Sequence, residues 1–230
     1  MTTSFGFWQL DRADQKRTLQ AAIDSRSVLP PISLPNTSVD TSNLDSVQHY
    51  TGSVQGVWLP EQQFLLENVV HEGKNGFYVY TPLLMGDGQV VVVNRGWVAA
   101  SPYRDQLPDV PVADANMSNT DGVVRVAGRF AAPRSKPVMV GGLPAANINS
   151  QVVWFYLDLE LVSKQVAKPV AHFVMLQNSD DESGLVREWP IFDTKVDMHI
   201  GYAIQWFAFA FIALVFFLIF SFRRPKAEEK

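Results

Sequence analysis

Cysteine is absent from all 230 residues. Its absence excludes disulfides, thiolate metal sites, CxxC redox chemistry and covalent haem attachment through CxxCH, so any metal or haem must be held by other side chains. A dominant charge is missing too: 19 Lys and Arg stand against 23 Asp and Glu, for a net charge of −4. The cations are scattered, and no basic stripe is offered to nucleic acid. Reaction signatures are also lacking. There is no GxSxG elbow, GxxxxGK[ST] loop, GxGxxG or HExxH, so no nucleophile, phosphate cradle or zinc site is announced by spacing. No internal repeat is found. The acidic run Asp180, Asp181 and Glu182 reads as a solvated loop, with a weak calcium site as the alternative, and Gly141–Gly142 reads as a turn.

What the chain does have is one long apolar run. From Ile200 to Phe222 the only strongly polar side chain is Gln205, and at about 1.5 Å per residue such a segment spans a hydrocarbon core of roughly 30 Å. It stops at Arg223, Arg224 and Lys226, cations that stay on the cytoplasmic side. The expected order is therefore a juxtamembrane helix over 1–27, an extracytoplasmic β-rich domain over 28–198, a transmembrane helix over 199–222 and a cytoplasmic basic tail over 223–230. An exported domain needs an export signal, and none is visible in "MTTSFGFWQL". A first membrane helix is therefore expected upstream of Met1, with Phe7 and Trp8 as interfacial anchors where it leaves the lipid.

Residues 8–25 carry a polar-rich helical pattern with Leu10, Ala13, Leu19 and Ala22 near one face, and this helix is expected to rest on the membrane surface. Residues 28–46, with three prolines, read as a loop. Strand signals then crowd together at 49–59, 62–71, 76–84 and 89–98, joined by short spacers that make antiparallel neighbours. Further strands follow at 122–132 and 169–178, and 152–167 starts extended and turns helical near Asp158. The fold class expected is an α+β membrane protein: an antiparallel sheet curled toward a barrel, one or two helices and the C-terminal membrane helix.

Two stretches carry chemistry. "VVVVNRGWV" (90–98) opens with four valines, the mark of a strand buried on both faces. It ends in Asn94, Arg95, Gly96 and Trp97, which need a polar outlet, a permissive backbone and a large apolar pocket. Arg95 either clamps the strand end or grips a carboxylate in the bidentate manner arginine favours. His49, His71 and His172 each stand alone on strands and read as structural. "HIGYAIQWFAFA" (199–210) sets His199 at the mouth of the membrane run.

These residues carry a resemblance. "FGFWQLDRADQK" (5–16) resembles the segment after the first membrane helix in the Surfeit-locus-one family of cytochrome c oxidase assembly factors. "VVVVNRGWV" is similar to that family's central signature, and "HIGYAIQWFAFA" to the start of its second membrane helix. The resemblance implies a non-enzymatic factor in a bacterial inner membrane, multi-pass, with its main domain in the periplasm and its C-terminus in the cytoplasm. It implies haem a as a transiently bound cofactor, and the oxidase catalytic subunit, the haem a synthesis machinery and the lipid bilayer as partners. His199 is then the metal ligand, and His199, Tyr202, Trp206 and Arg95 are the candidate cofactor contacts. Helical spacing sets His199, Tyr202, Trp206, Ala210 and Ala213 along one stripe, with Gln205 off its edge. An imidazole can ligate haem iron without cysteine, and the alanines admit a flat ring or another helix. The competing reading makes Tyr202 and Trp206 interfacial anchors and His199 a cap or a headgroup contact.

Overall fold

The computed structural model describes residues 2–35, 39–102, 106–112, 122–134, 153–179, 183–189 and 196–222. Gly141–Gly142, the acidic run 180–182 and the tail with Arg223, Arg224 and Lys226 lie outside the described residues. The chain divides into two units, one of 1–25 with 190–230 and one of 26–189.

In the unit of 26–189, tight turns set the first pairings. β3 (Phe64–His71) and β4 (Lys74–Met85) are joined by Glu72 and Gly73, whose φ values are 47° and 76°, with His71 opposite Lys74. Two central residues at positive φ give the turn whose twist matches that of the strands. From β4 to β5 (Val90–Ala99), the Gly88 N–H donates to the Met85 carbonyl and Asp87 Oδ1 accepts from the Gln89 N–H, each at 3.0 Å. β2 (Thr51–Trp58), β6 (Val124–Ala131) and β8 (Val170–Gln177) complete the order β2-β6-β8-β5-β4. A further pairing of β2 with β4, Gly56 opposite Met85, closes these five strands into a barrel. The curled antiparallel sheet expected from the sequence is what forms, with parallel pairings added between β5 and β8 and at both margins, one of them β7 (Val153–Trp154) beside β3.

Alternation along the strands divides the core in two. Val91 and Val93 join Val54, Leu83, Phe130, Phe173 and Met175 in one buried cluster, the barrel interior. Val92 and Val174 point the other way, under Val162 of α2 (Leu159–Val166). Val90 to Val93 are thus buried on both faces, as the valine run predicts. α2 begins where expected, because Asp158 Oδ1 accepts from the Glu160 and Leu161 N–H groups at 3.1 and 3.3 Å and caps it.

Three expectations need correction. Within the 28–46 loop, Ile32–Leu34 forms β1, parallel to β2, and buries Leu34 in the barrel. Three residues between prolines are too few to show a period, and proline is tolerated at a sheet edge. β2 and β3 are not hydrogen-bonded to each other; both pair with β4. In α1 (Thr2–Ser27), of the four residues expected on one face only Ala13 is buried; Leu10, Leu19 and Ala22 are exposed, and Gly6 is buried with Ala13.

The second unit pairs α1 with α3 (Val196–Ser221), a helix of 26 residues that is long and apolar enough to cross a membrane. They run antiparallel. Phe5 stacks on Trp206 at 5.0 Å, Phe7 meets Phe207 edge-on at 5.3 Å, and Gln9 reaches His199 further down. Small residues permit this approach. A Cβ on Gly6 would stand 2.7 Å from the Phe207 ring, and Ala13 and Ala203 are each 1% exposed.

Candidate functional site

The strand end at 94–97 is built around a bulge. Val79 pairs with Gly96 and Tyr80 with Asn94, so Arg95 is the extra residue on β5. Gly96 takes φ 143°, and a Cβ there would meet Leu185 Cβ at 2.7 Å and the Val186 carbonyl at 2.9 Å. Only glycine suits both the backbone and the space. Residues 185–187 latch onto the bulge: the Trp97 N–H donates to Val186 O at 2.7 Å, the Val186 N–H donates to Trp97 O at 2.9 Å, and Arg187 Nε donates to Arg95 O at 2.8 Å. Trp97 is nearly buried, its indole N–H donating to Val69 O at 3.2 Å. Burial pushes the Tyr80 phenol well above its ordinary range.

Arg95 is 1% exposed, a full positive charge taken out of water. Its Nη1 donates to Gln63 Oε1 at 3.0 Å and its Nη2 to Pro111 O at 3.2 Å, with the guanidinium 5.9 Å from the Trp58 ring centre. Gln63 is the hub of this network. Its Oε1 also accepts from Thr81 at 2.8 Å, and its Nε2 donates to Val110 O at 2.7 Å. Nothing in the sequence singled out Gln63, since a glutamine after a Pro-Glu turn carries no periodic signal.

The isolated histidines sit among structural partners. His71 lies 5.0 Å from the Trp97 ring and 3.8 Å from Glu188. The His49 backbone N–H donates to Phe130 O at 2.9 Å and the His172 backbone N–H to Thr41 O at 3.2 Å. Partial burial, then the charges of Arg129 and Arg26, hold the His49 imidazole below its ordinary value.

In the helix pair, the half-buried His199 brings Nδ1 to 2.8 Å from Gln9 Oε1 of α1. The expected stripe is split. Trp206 lies under Phe5, whereas Tyr202 is 45% exposed, and Gln205 and Ala213 are exposed too. The helix pair thus contains His199, Tyr202 and Trp206, and the barrel unit contains Arg95. Gln9 went unremarked within "FGFWQL", although Gly6, Gln9 and Ala13 recur at three and four residues, the spacing of one helix face.

A closed five-stranded barrel in one unit, and in the other a helix pair with one membrane-length apolar helix, define a small barrel protein equipped for membrane anchoring. The SURF1 family profile matches residues 1–211, and the chain belongs to the SURF1 family. It is similar to a SURF1-like protein of Rickettsia prowazekii (strain Madrid E), 26% identical over 95% of this chain and 84% of that one. A SURF1-like protein of Monosiga brevicollis is 26% identical over 93% of this chain and 81% of its own. Surfeit locus protein 1 of Rattus norvegicus is also 26% identical, over 89% of this chain and 68% of the rat protein.

Proposed function

We propose that this chain is a non-enzymatic assembly factor for haem-copper cytochrome c oxidase. It binds or protects haem a and hands it to the oxidase catalytic subunit after receiving it from the haem a synthesis machinery. The β-rich domain of 28–198 lies in the periplasm of a bacterial inner membrane, 199–222 crosses the bilayer, and the 223–230 tail stays in the cytoplasm. The observation that carries this reading is the hydrogen bond between His199 and Gln9 at the mouth of an apolar helix. An imidazole held by an acceptor on a second helix is a pre-oriented nitrogen donor; a cap or a headgroup contact needs no such restraint. Membership of the SURF1 family supports it further, through the resemblance to oxidase assembly factors.

The donor set fits. Among the described residues no three His, Cys, Asp or Glu gather as a metal cage, but an iron already held by four ring nitrogens asks the protein for a single imidazole. His199 would supply it, with Tyr202 and Trp206 beside the ring. When bound, the haem would supply a redox-active iron whose potential the His199 imidazole would tune. Arg95 serves as a clamp inside the barrel. A scaffold that holds oxidase subunits without touching haem is the second reading, favoured by the Phe5 ring that already covers Trp206.

Two experiments test the proposal. The protein purified from cells that make haem a should show Soret and α bands, and His199→Ala should lose them at unchanged abundance and leave the oxidase poor in haem a. Bands intact in His199→Ala favour the scaffold. Because the chain lacks cysteine, Asp87→Cys at the exposed β4–β5 turn gives one thiol, which an impermeant reagent should label in intact spheroplasts. Labelling only after lysis would reverse the orientation.

A further inference from the structure

The helix pair offers a second residue of the same site. Gln9 belongs to the face of α1 turned to α3, between Gly6 under Phe207 and the buried Ala13. An amide oxygen only accepts, so the 2.8 Å approach of Gln9 Oε1 to His199 Nδ1 is a hydrogen bond only in the tautomer with the proton on Nδ1. A neutral imidazole has one such proton, and Nε2 keeps the lone pair. In water the opposite tautomer, with the proton on Nε2 and its lone pair spent, is the more populated. A ligand histidine left to itself would therefore pay a tautomeric cost before it could bind iron through Nε2.

We infer that Gln9 is a positioning residue that fixes the tautomer and the ring orientation of His199, so that Nε2 is the atom offered to iron; this rests on the reading that His199 ligates haem a. An acceptor on the far nitrogen also locks the orientation of the ring, as outer partners of metal-bound histidines do. Both effects require α1, so the metal-binding competence of α3 is set from the other helix. The role is specific to an acceptor at residue 9. A helix pair held only by its ring contacts, Phe5 on Trp206 and Phe7 on Phe207, would not define which nitrogen is free.

The test uses the full chain in detergent, labelled with ¹⁵N-histidine, as parent, Gln9→Leu, Gln9→Glu and His199→Ala. In the haem-free parent the His199 resonances should be those of the Nδ1–H form, and Gln9→Leu should move them to the Nε2–H form. A parent found in the Nε2–H form overturns the inference. Titration with ferric haem a then reads the consequence. His199→Ala should abolish binding, Gln9→Leu should weaken it about 10- to 100-fold, and Gln9→Glu should restore it with a lowered reduction potential, since a carboxylate is the stronger acceptor. If Gln9→Leu binds like the parent and Gln9→Glu leaves the potential unmoved, Gln9 is a mere tie between helices and the inference fails while the ligand role of His199 stands. If His199→Ala retains haem, the ligand role fails, and the tautomer measurement alone decides whether Gln9 governs the ring.

Discussion

Arg95 in the barrel and His199 in the helix pair are both polar side chains in apolar settings, and they are held differently. The guanidinium is enclosed, with partners on Gln63 and Pro111 and a tryptophan ring alongside. The imidazole is half-exposed, with one nitrogen held by Gln9. A buried charge is tolerable only when its hydrogen-bonding capacity is met inside the protein, and a side chain so committed has little left for a ligand. A single restraint on one nitrogen does the reverse: it fixes the ring and leaves the other nitrogen for use. On this contrast we propose that NRGW, the signature that reads as most chemical in the barrel, serves the fold, and that the histidine of the helix pair is the one kept for a ligand.

The contrast can be broken most severely at Trp97. Trp97→Ala removes a nearly buried indole and its bond to Val69 O, and should lower stability by about 3–5 kcal/mol, read by denaturant unfolding of the barrel fluorescence. An unfolding midpoint like the parent's would show that the strand end is not structural. Arg95→Leu comes next. It strips a charged donor from Gln63 and Pro111, and at roughly 1.5–3 kcal/mol per hydrogen bond to a charged group the protein should become scarce. Arg95→Lys should restore it only in part, because an ammonium cannot span both acceptors as the guanidinium fork does. Normal abundance of Arg95→Leu with failed oxidase maturation would move Arg95 from clamp to binding residue.

Smaller effects sharpen the same division. Asp158→Ala removes the α2 cap and should cost about 1 kcal/mol, measurable as a shift in unfolding midpoint, with no change in haem bands if the barrel and the helix pair have separate tasks. The smallest effect is set by pH. Burial, with Arg129 and Arg26, holds His49 below its ordinary value, so the unfolded chain takes up a proton near pH ~6.5 while the folded chain resists. The His49 contribution is complete above that pH and is lost as pH falls through the lower folded value. His49→Gln should flatten the acid side of the stability profile. A slope unchanged in His49→Gln would assign the acid loss to other groups.

Much of this was legible in the sequence because it was periodic or punctuated. Alternation, glycine turns and the Asp158 cap located the strands and α2 to within a few residues, and the valine run announced a strand buried twice over. What escaped depends on partners distant in sequence. β1 is three residues long and gains its place from β2. Gln63 matters only because Arg95, Thr81 and Val110 converge on it. The working face of α1 is marked by small residues rather than by leucines, so a search for apolar periodicity finds the buried Ala13 but groups it with Leu10, Leu19 and Ala22, which are exposed, and passes over Gly6 and Gln9. Tyr202 and Trp206 share a stripe on a helical wheel, yet Phe5 covers only one of them.

The most direct test of this division is the amount of haem a per folded protein, measured by absorbance and amino-acid analysis on parent, Arg95→Lys and His199→Ala purified from haem-a-producing cells. Arg95→Lys should yield less protein with the parent's haem ratio, and His199→Ala should yield the parent's amount of protein with the ratio near zero. A full ratio in His199→Ala, or an emptied one in well-folded Arg95→Lys, would contradict the account.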